Sequence, residues 1–219
     1  MEIILSDAYG FCGGVKRAVN LAFTTAKEDE NVKMMGELVH NADVNRELKD
    51  LGVEVIEEEN LPIGATVITR SHGTTKELKE TLEKKDNRII DTTCPFVSRI
   101  YEIVRENNEE GIPVVIVGEK EHPEIKGIAS YGDYIFIVKD VGEVENLPLQ
   151  DEKKIALVSQ TTNPKKIVDK VEERLKGVFT GEILRYNTIC KATNERQDAC
   201  RMLAQNVDCM LVIGGKNSA

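Results

Sequence analysis

There is no tryptophan in these 219 residues, histidine occurs three times, and aromatic residues make up only 5% of the chain. A core has to be built from aliphatic side chains and, with 31% charged residues, in small units with much surface. Positive charge is also scarce: 29 Lys and Arg face 38 Asp and Glu, a formal net charge of −9. That excludes a general nucleic-acid or anionic-membrane binder, which needs a basic face. Any anionic ligand must then be met locally. No apolar run approaches the roughly 18 residues that span a bilayer. Strand-like Glu2-Ile3-Ile4-Leu5 follows Met1 too closely for a signal or transit peptide. The expectation is a soluble, cytoplasmic chain of one or two domains by length. Its five cysteines then serve as thiols or metal ligands, not as a disulfide framework.

What is present is a repeated setting for cysteine. An apolar strand, Ile3-Ile4-Leu5, runs to Gly10-Phe11-Cys12-Gly13-Gly14-Val15, where a helical pattern begins. The same event recurs at Ile89-Ile90 leading to Thr93-Cys94-Pro95, with Pro95 suited to a first helical position, and again at Ile189-Cys190-Lys191. Each of these cysteines sits where a helix starts, and a helix N-terminus favours a thiolate.

The segments between them alternate strand and helix. Helical patterns cover Val15 to Lys27, Asn41 to Leu51, Lys76 to Lys85, Val97 to Asn107 and Lys165 to Leu175. Strands are read at Val32–Met35, Val53–Ile56, Ala65–Thr69, Ile89–Ile90, Pro113–Gly118, Tyr134–Val138, Ile155–Val158 and Glu182–Leu184. Asn146-Leu147-Pro148 echoes Asn60-Leu61-Pro62, and Ser159-Gln160-Thr161-Thr162 is read as the counterpart of Ser71-His72-Gly73-Thr74. Cys12 and Cys94 are 82 residues apart, as are His40 and His122, while Cys94 and Cys190 are 96 apart. This predicts an α/β fold of three pseudo-repeated small lobes, with mostly parallel sheets, around one central site. The lobes are residues 1–93, 94–189 and 190–219. The third starts with a helix through Gln205 and a strand at Cys209–Gly215 and is expected to be cut short at Ala219, since an open strand edge is an unusual terminus.

Three thiolates from three lobes, without an equivalent fourth, describe a metal site with one open position. Iron–sulfur clusters use Cys thiolates, and full ligation takes four. A three-cysteine cluster leaves one iron free to bind substrate as a Lewis acid. Buried packing cysteines and a zinc site are the alternatives, the latter without the short paired spacing of structural zinc. Cys200 and Cys209 are assigned to packing. His40, His72 and His122 all lie at strand ends, where imidazole N–H groups and helix N-termini can cradle an anion. Glu124, two residues past His122, is the carboxyl group whose place suits a proton donor. Thr161 could relay that proton or serve as a helix cap.

These residues together resemble a known family, the hydroxymethylbutenyl diphosphate reductases, or LytB-type enzymes. The likeness rests on Gly-Phe-Cys-Gly-Gly-Val at 10–15, Val-His-Asn at 39–41, Ser-His-Gly at 71–73, Thr-Cys-Pro at 93–95, His-Pro-Glu at 122–124, Gln-Thr-Thr at 160–162, and Cys190 followed by Thr193, Arg196 and Gln197. It implies a [4Fe–4S] cluster on Cys12, Cys94 and Cys190, with one open iron. It further implies a diphosphate substrate held by His40, His72, His122, Asn217 and Ser218, with Glu124 and Thr161 delivering protons. The implied reaction is reductive dehydroxylation of 4-hydroxy-3-methylbut-2-enyl diphosphate to isopentenyl and dimethylallyl diphosphate, the last step of the non-mevalonate isoprenoid pathway. In the family a further asparagine and a later serine follow Ser218; here Ala219 is the last residue. No G-x-G-x-x-G follows a strand, so a ferredoxin or flavodoxin is the expected electron donor. An aconitase-type dehydratase, which needs no reductant, and a non-catalytic nucleotide- or redox-binding module are the rival classes.

Overall fold

The computed structural model describes residues 2–215. Asn217 and Ser218 lie outside them. Each of two lobes is a four-stranded parallel sheet wrapped by helices. In the first, α1 (Gly13–Glu28) leads to β1 (Val32–Met35), α2 (Ala42–Asp50), β2 (Glu54–Ile56), β3 (Thr66–Ile68), α3 (Lys76–Lys84) and β4 (Arg88–Ile90). In the second, α4 (Pro95–Glu109) leads to β5 (Val114–Val117), α5 (Pro123–Ala129), β6 (Ile135–Val138), β7 (Lys154–Ser159), α6 (Lys165–Val178) and β8 (Glu182–Arg185). The strand orders are β2-β1-β3-β4 and β6-β5-β7-β8, the same arrangement twice, with every pairing parallel. The Asn-Leu-Pro echo also has a structural meaning. Asn60 and Asn146 each close a short 3₁₀ turn after the outer strand of their lobe.

The apolar run Val114–Val117 is buried throughout because both faces of β5 are covered, as a central parallel strand requires. Val114 and Ile116 pack with Val97, Ile100 and Val104 of α4 and Ile125 and Ile128 of α5. Val115 and Val117 face Val168, Val171 and Leu175 of α6. In the first lobe Met34 meets Ala18, Ala22 and Leu48, while Met35 joins Val67 and Leu82 on the other face. Each such aliphatic side chain contributes about 1.5–3 kcal/mol by leaving water, so aliphatic residues suffice without tryptophan. Helix starts follow local chemistry. Asn41 accepts from the amides of Asp43 and Val44 at 3.1 Å, Thr75 caps α3, and Pro95 opens α4.

Two predicted strands do not form. Ile3-Ile4-Leu5 is irregular, with Ile3 79% exposed, and Cys209–Gly215 likewise, with Leu211 83% exposed. A strand exists only through a neighbour's ladder, and among the described residues neither segment has one. After Cys190 the described chain is α7 (Lys191–Ala204), none of whose residues is buried. Cys200 and Cys209 are consequently exposed, not packed as expected, with Cys200 Sγ against Met210 Sδ at 3.5 Å. The sequence reading also missed α5, because a seven-residue helix opening on a proline carries too little periodicity. No helix among the described residues is long and apolar enough to cross a membrane.

Candidate active site

Cys12, Cys94 and Cys190 are the residues immediately before α1, α4 and α7, and none spends its side chain on capping. Gly14 shows how closely two of them approach. A Cβ added there would stand 2.7 Å from Cys94 Sγ and 3.9 Å from Cys12 Sγ, so the glycine keeps open the space in front of both sulfurs. Cys190 is close enough that its charge, with that of Cys12, bears on Cys94. The Cys94 thiol is pushed up, by burial first and by those two neighbours, against the Phe96 and Val97 amides that favour the thiolate. Sequence reasoning had expected helix N-termini to lower thiol pKa; at Cys94 desolvation outweighs them.

Backbone bonds tie the thiols to the other site residues. The Cys94 amide donates to the Ser71 carbonyl at 3.0 Å, and the Cys190 amide to the Thr161 carbonyl at 2.8 Å. Behind them the Thr92 hydroxyl binds the Thr69 carbonyl at 2.6 Å, just as the Thr188 hydroxyl binds Ser159 at 2.9 Å. These bonds pair Ser71 with Thr161 and Thr69 with Ser159. The counterpart of Ser71-His72 is therefore Thr161-Thr162, two residues out of step with the match read from the sequence, where the shared serine set a false register.

The histidines form one cluster. The rings of His40 and His72 are 4.4 Å apart and tilted, and His72 meets His122 edge-on at 6.0 Å. Burial pushes His72 down to about 4, helped by His40, His122 and Arg70. His122 is lowered mainly by burial as well. Its Nδ1 accepts the Glu124 amide at 3.1 Å as the cap of α5, so the neutral ring carries its proton on Nε2. His40 Nδ1 is buried with no hydrogen-bond partner among the described residues, the Glu37 carboxylate standing 3.8 Å away, and is a donor or acceptor still available to a ligand.

Glu124 is 2% exposed. Its Oε1 accepts the Thr161 amide at 2.6 Å and its Oε2 the Thr161 hydroxyl at 2.8 Å. Burial raises it to about 6, against those two bonds. The amide proton is fixed, so Oε1 cannot carry a proton, whereas the hydroxyl can turn. Only Oε2 can hold a transferable proton, and Thr161 Oγ1 is its exit. Two further participants escaped the sequence reading. Thr93 Oγ1, beside Cys94, is buried with no hydrogen-bond partner among the described residues, a threonine visible only as part of Thr-Cys-Pro. Tyr101 on α4 presses its hydroxyl against the His72 loop, where Gly73 has φ +101° and any Cβ would stand 1.8 Å from the oxygen. Only glycine fits there.

Among the described residues no three His, Cys, Asp or Glu side chains close on a single metal ion. The uncapped cysteine sulfurs, the space kept by Gly14 and the Thr93 hydroxyl, unpartnered among the described residues, fit a sulfide-containing group held by three cysteines.

Known proteins are similar to this chain in sequence and fold. Residues 3–219 match the family described as LytB protein. A 4-hydroxy-3-methylbut-2-enyl diphosphate reductase of Caldanaerobacter subterraneus subsp. tengcongensis is 44% identical over 225 residues, covering 100% of this chain and 77% of that protein. The solved structure of the E-1-hydroxy-2-methyl-but-2-enyl-4-diphosphate reductase from Plasmodium falciparum superposes with a TM-score of 0.89 at 28% identity, covering 97% of this chain and 68% of that one. A second, described as (E)-4-hydroxy-3-methyl-but-2-enyl diphosphate reductase, the terminal enzyme of the non-mevalonate pathway, gives 0.82 at 40% identity, with 99% and 78% covered. With cysteines at three helix starts, clustered histidines and a Glu–Thr pair in one α/β frame, and a family match spanning nearly its whole length, the chain belongs to the LytB family.

Proposed function

We propose that this chain reduces 4-hydroxy-3-methylbut-2-enyl diphosphate to isopentenyl and dimethylallyl diphosphate, on a [4Fe–4S] cluster held by Cys12, Cys94 and Cys190. The observation that carries the reading is the direct linkage of two chemistries. Each of two cysteine amides is bonded to the peptide that also carries a site residue, Ser71 before His72 and Thr161 against Glu124. The cluster, when bound, supplies electrons and a Lewis-acidic iron for the leaving oxygen.

The chain's own residues do the rest. His40, His72 and His122 hold the diphosphate, and His122 offers Nε2–H because its Nδ1 is occupied by the α5 amide. An anion beside His72 opposes the burial and the neighbouring positive groups that keep it neutral, so binding draws a proton onto the histidine rings. Asn217 and Ser218 extend the diphosphate site. The allylic C–O bond breaks, the oxygen leaves as water, and a hydrogen takes its place at one end of the allyl fragment. The balance is two electrons and two protons. One proton leaves Glu124 Oε2 through Thr161 Oγ1; general acid catalysis of this kind is worth about 10²- to 10⁴-fold. A one-electron carrier, a ferredoxin or flavodoxin, supplies the electrons. Glu124 belongs to the second lobe alone, since the residue at its place in the first, two past His40, is Ala42. Proton delivery is therefore one-sided within a nearly repeated frame.

The test is iron and sulfide content of anaerobically prepared chain, followed by turnover with and without reduced ferredoxin. Cys12→Ser, Cys94→Ser and Cys190→Ser should each lower iron content, and turnover should require the reductant. Unchanged iron in those variants with loss in Cys200→Ser would overturn the ligand set. Turnover without any reductant would replace reduction by dehydration.

A further inference from the structure

Two arginines fasten the cysteine-bearing elements to one another. Arg17 lies on α1, one turn past Cys12. Its Nη1 donates to the Thr93 carbonyl at 3.2 Å and its Nη2 to the Asp91 carbonyl at 3.4 Å, both in the loop that delivers Cys94. Gly14 stands three residues before Arg17 on the same side of the helix. The close approach of α1 to Cys94 Sγ and the arginine fork are thus one joint. On α7, two turns into the helix that follows Cys190, the Arg196 guanidinium donates to the carbonyl of Gly10, in the loop that delivers Cys12. The order is cyclic: the Cys190 helix holds the Cys12 loop, and the Cys12 helix holds the Cys94 loop.

The remaining junction, from α4 to the Cys190 loop, needs no such fastener. There Asn107 Nδ2 reaches Tyr186 Oη at 3.1 Å and the Thr161 carbonyl already holds the Cys190 amide. Arg99, placed after Cys94 as Arg17 is after Cys12, instead pairs with Glu102 at 2.8 Å and Glu106 at 3.8 Å on its own helix. Arginine clamps therefore hold two of the three junctions, and Asn107 with the Thr161 carbonyl holds the third. A planar guanidinium can fix two carbonyls at once and stays charged, which a lysine cannot match in geometry.

We propose that Arg17 and Arg196 are positioning residues that set the mutual spacing of Cys12, Cys94 and Cys190 before an inorganic group enters. This rests on the reading of those cysteines as its ligands. The test uses anaerobically prepared chain reconstituted with iron and sulfide. Iron and sulfide per chain, the rate of iron loss to a chelator and the paramagnetic resonance spectrum of the reduced protein are compared for the parent, Arg17→Gln, Arg17→Lys, Arg196→Gln and Arg99→Gln. Thermal unfolding of the metal-free chains runs alongside. Arg17→Gln and Arg196→Gln should lose iron about tenfold faster and show altered spectra at parent-like metal-free stability. Arg17→Lys should fall between them and the parent, and Arg99→Gln should match the parent. Parent-like iron retention and spectra in both glutamine variants would overturn the proposal, as would equal loss in Arg99→Gln. If metal-free Arg17→Gln unfolds early, Arg17→Lys decides the matter, and parent-like iron loss there overturns it. A parent chain that takes up no iron or sulfide instead removes the ligand reading on which all of this stands.

Discussion

Thr161 grips Glu124 by both carboxylate oxygens and hands its own carbonyl to the amide of Cys190. One residue thus fixes the proton source and the third thiol in a single geometry. It also splits the carboxylate into unequal halves, a pinned Oε1 and an Oε2 that can exchange a proton through the threonine hydroxyl.

That asymmetry gives a signed pH dependence. With Glu124 at about 6 and acting as an acid, kcat should fall as pH rises through that value. Glu124→Gln should lower kcat by about 10²- to 10⁴-fold. Thr161→Val removes the hydroxyl bond that lowers the carboxyl, so the limb should move to higher pH as the rate drops. A kcat–pH profile unmoved by Thr161→Val would count against the relay.

Stability should show two opposed titrations. His72 is depressed from 6.5 to about 4, so the unfolded chain takes up a proton first. Stability should fall as pH drops from 6.5 towards 4, by up to about 3 kcal/mol. Glu124 is raised from 4.5 to about 6, so its ionisation costs the folded state up to about 2 kcal/mol as pH rises through that window. Measured by denaturant unfolding between pH 4 and 7.5, stability should rise with pH more steeply in Glu124→Gln than in the parent and should fall with pH in His72→Asn. Parallel curves for all three would contradict the assignment.

The histidine cluster should bind inorganic diphosphate more tightly as pH falls from 7 to 5.5, because the anion favours protonated rings. His72→Asn should weaken binding roughly tenfold, the scale of one charge-assisted bond, and flatten the pH dependence. Titration calorimetry measures both effects. An affinity independent of pH would place the anion elsewhere.

Gly13 and Gly14 make a matched pair. A Cβ at Gly13 meets nothing within 4 Å, whereas at Gly14 it meets Cys94 Sγ at 2.7 Å. Gly13→Ala should be neutral or stabilise the helix by about 0.5 kcal/mol, with iron uptake intact. Gly14→Ala should abolish iron uptake. Equal iron content in the two would mean that the space in front of the thiols is not used.

Much of this was legible from residue order alone. Period and punctuation place all eight observed strands and most helices within a few residues, because a buried parallel strand such as Val114–Val117 and an amphipathic helix such as Pro95–Glu109 leave local hydrophobic signatures. The internal repeat was visible too, since the two sheets have one topology. Ile3–Leu5 and Cys209–Gly215 failed for the complementary reason. Apolar composition expresses a preference for burial, but a strand also needs another strand's carbonyls and amides.

The chain's own letters determined which residue types stand at helix starts and strand ends, because glycine, proline and apolar periodicity act over a few residues. Only folding decided that Thr161 faces Glu124 from 37 positions away, that Ser71 rather than Gly73 is its repeat partner, and that Arg17 and Arg196 join separate elements. Those relations depend on how helices dock on sheets, and the Cys94 thiol shows the consequence. Its neighbours in sequence favour the thiolate, while the burial that packing imposes drives it the other way.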